Sequence, residues 1–117
     1  MKSVYLASPY TDESFRVEEE RFIDVTSIAG HLLEKHHVSM FLPITQSHLL
    51  RKYNPNLLGT FEAWRDIDLD QIDRQDEVWV VMLKGWKESK GVSAEINYAL
   101  QKKKPIKYID PITMEIL

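Results

Sequence analysis

The stretch Val78-Trp79-Val80-Val81-Met82-Leu83 decides the fold. It is continuous, apolar and rich in β-formers, the pattern of a central parallel strand buried on both faces. On its C-terminal side, Gly85 to Gly91 reads as a loop. Val92 to about Lys103 reads as a helix with Val92, Ile96, Ala99 and Leu100 turned inward. The lysines at 102–104 sit at its C-terminal end, as a solvated end favoured by the helix dipole. Pro105 to Ile109 is a last strand, and the tail adds a turn and a short edge segment.

On its N-terminal side, residues 61–74 repeat Phe61, Trp64, Ile67 or Asp68, and Ile72 at helical spacing. Residues 43–60 carry Pro43, Pro55, Gly59 and two Asn, and read as a long functional loop with a helical turn at Ser47–Lys52. Val38 to Leu42 is a short strand ended by Pro43. A long helix is expected from about Asp12 to His36, capped by Thr11 or Asp12. Its stripe is Phe15, Phe22, Val25, Ala29, Leu32 and Leu33, with Glu18, Glu19 and Glu20 on the wet side. Val4 to Ala7 is a buried strand stopped by Ser8-Pro9. The order β-α-β-α-β-α-β implies a parallel sheet with helices on both faces. The expected architecture is a Rossmann-like, flavodoxin-like α/β/α sandwich of three layers. It has a parallel sheet of four to five strands and forms one domain over residues 1–117.

Composition narrows the function. The chain has 117 residues, 44% of them hydrophobic, and no cysteine. Disulfides, thiolate metal sites and a Cys nucleophile are excluded, and the absence fits a reducing cytoplasm. A net charge of −3 argues against a nucleic acid polymer as partner. No apolar run approaches the ~20 residues that span a bilayer, so no membrane association is expected. The opening MKSVYLASPY is too poor in apolar residues for a signal peptide.

In such folds ligands sit at the carboxyl ends of the strands, where strand order reverses. Four places qualify: Ala7–Thr11, Pro43 onward, Leu83–Gly91 and Asp110–Pro111. The richest is Gly85-Trp86-Lys87-Glu88-Ser89-Lys90-Gly91-Val92-Ser93-Ala94-Glu95, which leaves the central strand and enters a helix. Gly91 allows close backbone approach to a ligand, and the first helical turn offers free amides. Glu95 follows Val92 by three residues and precedes Ala99 by four, so it borders the apolar stripe. A carboxylate there suits a nucleophile or general base. The structural alternative is that Glu95 complements the helix N-terminus while Ser89 or Ser93 caps it. Asp68 is four residues from Ile72 and is the member of its acidic cluster expected to face inward. His48, in Gln46-Ser47-His48, is the histidine best placed for ligand contact; His36 and His37 are expected to face water. Ser8 sits just past the first strand, in no nucleophile elbow. No zinc, dinucleotide or P-loop motif occurs, so neither a metal nor a cofactor is expected.

Taken in order, these residues resemble the nucleoside 2-deoxyribosyltransferase superfamily, which includes 2′-deoxynucleoside 5′-phosphate N-hydrolases. The similarity runs from Tyr5 in VYLASPY through D-x-x-x-I at Asp68 and Ile72, the strand DEVWVVML, S-x-G-x-x-x-E at Ser89, Gly91 and Glu95, to KPI at 104–106. More narrowly, YLASPY, QSH and GWKESKGVSAEI resemble a small bacterial and phage family of unknown function placed in that superfamily. The resemblance implies a carboxylate at Glu95 attacking C1′ of the sugar. It implies an acid at Asp68 near the departing base, and Tyr5 positioning Glu95. Ser8, Ser89, Gly91, His48 and Trp86 are the substrate-binding candidates, with Ser89 and the Gly91 amide near a 5′-phosphate. The partner implied is a small nucleoside or nucleotide, and the assembly implied is a homo-oligomer. Pro9, Tyr10 and the 43–60 segment with His48 and Trp64 depart from the pattern. A nucleotide-binding or sensing module without turnover, and a structural interaction domain, are the alternatives.

Overall fold

Four short runs of β-forming residues pair side by side, all parallel, in a computed structural model that describes residues 1–117. The elements follow in the order β1 (Lys2–Ala7), α1 (Phe15–Lys35), β2 (Val38–Phe41), α2 (Pro43–Tyr53), α3 (Phe61–Arg74), β3 (Glu77–Val81), α4 (Lys90–Gln101) and β4 (Ile106–Ile109). The strands lie in the order β2-β1-β3-β4, so the chain reverses its direction of growth between β1 and β3. This is the α/β Rossmann-like architecture expected. The sheet has four strands; the tail adds only a turn and an isolated antiparallel bridge from Ile109 to Ile116.

The period of two along each strand sorts the core into two layers. Val4 and Leu6 join Trp79, Val81 and Ile109 under Val25, Ile28, Ala29 and Leu32 of α1. Tyr5 and Ala7 join Val78 and Val80 on the other face, under Ile72 of α3 and Val92 and Ala99 of α4. Register keeps these faces matched, since Tyr5 aligns with Val78 and Leu6 with Trp79.

Several sequence expectations change here. Residues 43–53 form a helix rather than a loop, because Pro43 occupies its first turn, where a fixed φ and a missing N–H cost nothing. Only 54–60 remain irregular. Helix α1 starts at Phe15 and is capped by Ser14, whose hydroxyl accepts from the Val17 amide; Thr11 and Asp12 lie outside it. At 21 residues α1 is roughly 30 Å long, whereas its strands span ~20 Å or less. Its first turns therefore overhang the sheet. Phe15 is 68% exposed and meets His48 rather than the sheet, while Glu18 is buried instead of wet. At the other end Leu33 is exposed and Ile28 fills the stripe. Leu100 of α4 is likewise exposed, and His36 packs edge-on against Trp79 instead of facing water. No helix is long and apolar enough to cross a membrane.

Arg21 of α1 ties together the two loops that flank the reversal. Its guanidinium donates to the carbonyls of Tyr10 and Thr11 after β1, and to that of Lys84 after β3. Gly85 makes the second contact possible: its φ is +91°, and a Cβ there would stand 2.9 Å from Arg21 Nη2. Gly85→Ala is expected to cost about 1–2 kcal/mol, read as a lower denaturant midpoint with an unchanged slope.

Candidate functional site

Three residues from three elements converge beside the reversal point. Tyr5 lies on the β1 face that looks toward α3 and α4, and it is fully buried. Asp68 extends the row of Ile72 on α3 by one turn. Glu95 sits between Val92 and Ala99 on α4. Because these three apolar anchors belong to one core cluster, the two carboxyl groups are carried to its edge and buried there, at 8% and 5% exposure. The Tyr5 hydroxyl donates to Glu95 Oε2.

Burial dominates the electrostatics. Desolvation pushes Asp68 up to about 7, partly offset by hydrogen bonding to Tyr5. Desolvation pushes Glu95 up to about 8, the Tyr5 hydrogen bond opposing and the Asp68 charge adding. The Tyr5 hydroxyl is itself raised well above its usual range by burial and by both carboxyl groups. At neutral pH the pair therefore holds a proton that neither member would keep in water. Hydrogen bonding to Tyr5 opposes the rise on both acids, and the higher value falls on Glu95, whose burial is the more complete.

Both carboxyl groups open into a cleft of about 330 Å³. Ser8, Ser89 and Gly91 line it with them. Ser89 caps α4, its hydroxyl accepting from the Val92 amide at 3.2 Å, so the structural alternative for that hydroxyl is realised. Gly91 abuts α3, where a Cβ would stand 3.2 Å from the Phe61 ring. Its bareness thus serves helix packing at the cleft edge. Besides Asp68 and Glu95, the lining carries Glu62 and Glu88 against the single cation Lys90, which makes the mouth acidic.

Two expected site residues lie elsewhere. His48 is buried on α2 and bonded to Tyr10 and Glu19, outside the cleft lining. Trp86 packs against Tyr108 and is likewise absent from the lining. Conversely, Tyr10, Thr11, Phe61 and Trp64 line the cleft. Phe61 and Trp64 were hidden in the helical repeat, because aromatic anchors and ligand-facing aromatics share one spacing. Trp64 Nε1 donates to the Leu58 carbonyl at 2.6 Å, which ties the 54–60 segment to α3 next to Gly59 and Thr60 of the cleft lining.

A parallel α/β sandwich with a buried acidic pair at its strand-order reversal defines a Rossmann-like protein with a ligand-sized crevice in the position this fold reserves for small molecules. The chain belongs to the family described as Domain of unknown function (DUF1937), whose model matches residues 2–110. No curated protein matches the chain.

Proposed function

We propose that this protein cleaves the N-glycosidic bond of a nucleoside or a nucleoside 5′-monophosphate, by hydrolysis or by exchange of the base. The observation that carries the reading is the meeting of Glu95 and Asp68, from different helices, around one buried tyrosine at the wall of a cleft. The resemblance of the sequence to nucleoside 2-deoxyribosyltransferases supports it.

The chemistry follows from the charges that form. Breaking the C1′–N bond builds positive charge on the sugar and negative charge on the base. The Glu95 carboxylate attacks C1′ to form a glycosyl ester as the base departs with that bond's electron pair. The base takes its proton from Asp68. Water or the N–H of a second base then displaces Glu95 from C1′, giving its proton to Asp68 and restoring the Glu95 carboxylate. The acidic mouth stabilises the cationic sugar of both steps. The division of labour uses the form of the pair that has Glu95 ionised and the proton on Asp68.

The test is incubation with deoxynucleosides and their 5′-monophosphates, followed by chromatography for free base. Release of base that is lost in Glu95→Gln is the expected result. Equal release by both proteins, or nucleotide binding without any product, removes the proposal. The second outcome would leave the binding-module reading.

A further inference from the structure

We propose that Arg51, His48 and Glu19 are positioning residues that hold Tyr10 as one wall of the cleft and so set ligand affinity, leaving the chemical step to other groups. The proposal rests on the glycosidase reading only for the identity of the ligand.

The four side chains form one directed chain. Arg51 Nη1 donates to the Tyr10 hydroxyl oxygen at 2.7 Å. A guanidinium cannot accept, so the tyrosine proton goes to its other partner, His48 Nδ1, at 2.8 Å. His48 Nδ1 is then an acceptor, and Nε2 carries the proton toward Glu19 Oε2 at 2.6 Å. Each donor is assigned by the one before it, and no tautomeric freedom remains.

Packing fixes the same geometry. The His48 ring is 4% exposed and stacks on Phe22, with ring centres 4.1 Å apart. Arg51 lies over the Tyr10 ring and beside Glu18, which also accepts from the Asp12 amide. The guanidinium also abuts Gly59, whose carbonyl accepts from Thr11 at 3.0 Å. Tyr10, Thr11 and Gly59 face the cleft, whereas Arg51, His48 and Glu19 line a separate hollow behind it. The relay is therefore a rear support for the wall that faces the ligand. It shares no hydrogen bond with Tyr5, Asp68 or Glu95.

Two substitutions at one position separate support from packing. His48→Phe keeps an aromatic ring on Phe22 but deletes the acceptor for Tyr10. His48→Asn sacrifices the stack but returns an acceptor near the Nδ1 position. His48→Phe is expected to raise KM about tenfold with kcat within about twofold, the size of one lost hydrogen bond. His48→Asn should stay closer to wild type. Tyr10→Phe should match His48→Phe, and the double variant should be no worse than either. A ranking with Phe better than Asn, an unchanged KM in His48→Phe, or a loss confined to kcat overturns the proposal. Nitrogen-15 spectra of the imidazole ring give a readout independent of turnover. Wild type should show His48 protonated at Nε2 and bare at Nδ1, and the opposite tautomer refutes the relay. If wild type releases no base, the glycosidase reading falls alone. The same variants are then ranked by calorimetric Kd for the deoxynucleosides and their 5′-monophosphates, and absence of binding by wild type overturns the affinity role.

Discussion

Glu95→Gln is expected to lose base release by about 10³-fold or more while raising the melting temperature at pH 8 by about 10 °C. The loss follows because an amide oxygen is a poor nucleophile toward C1′ and carries no charge to balance the cationic sugar. The gain follows from the same burial that shapes the carboxyl group. Glu95 is 5% exposed, and burial holds its carboxyl at about 8 rather than 4.5. Ionising it at pH 8 therefore costs the folded state roughly 3–4 kcal/mol relative to the unfolded chain. Gln is nearly isosteric and keeps an acceptor for the Tyr5 hydroxyl. Activity and thermal denaturation measured on one preparation check both halves. A variant that melts lower and still releases base would show Glu95 to be an ordinary structural carboxylate.

Wild-type stability is expected to fall as pH rises from 5 to 8, by on the order of 5 kcal/mol. Asp68 and Glu95 both have folded values, about 7 and about 8, above their ordinary 3.8 and 4.5. The native state therefore binds more protons than the unfolded chain across that interval. The associated stabilisation is complete below about pH 4 and is lost as pH rises through the folded values. Asp76, Glu77 and Asp110 are shifted the other way: Asp76 by hydrogen bonds from Ser3, Glu77 against its own desolvation by Lys2 with Trp79 and Lys107, and Asp110 by the Thr113 and Ile112 amides. Their contributions are present above their ordinary values and disappear on acidification, so they act below this window. Denaturant midpoints at pH 5 and pH 8 measure the slope. Asp68→Asn combined with Glu95→Gln should flatten it. A wild type that gains stability with pH, or a double variant that tracks wild type, contradicts the assignment.

Both expectations grow from positions that simple spacing marks. Asp68 is one helical turn from Ile72, and Glu95 lies between Val92 and Ala99. Each is therefore placed on the stripe that its helix turns to the sheet. Tyr5 lies inside a buried strand, where period two assigns it a face but not a partner. Their separation in sequence hides their meeting, which exists because β1 pairs with β3 while α3 and α4 cover that one face. His48 shows the reverse case. Its Gln-Ser-His context gave no local sign that α2 would bury it behind the cleft. Neither Glu19 nor Arg51 carried a signal, because a charged residue on an exposed helix face and one in a buried relay look alike until packing separates them. Glu18, which helical spacing assigns to the wet face, is buried for the same reason, and Pro43 both stops β2 and starts α2.

The amino-acid sequence by itself determined the alternation of strands and helices, the parallel sheet and the inward placement of Asp68 and Glu95. Periodicity and chain punctuation are local properties, legible within a few turns of each element. Only the tertiary structure decided which acids meet beside Tyr5, which aromatics face the cleft and which cations stand behind its wall. Those outcomes depend on strand order and on how far each helix overhangs the sheet, and both are settled by packing between segments far apart in the chain.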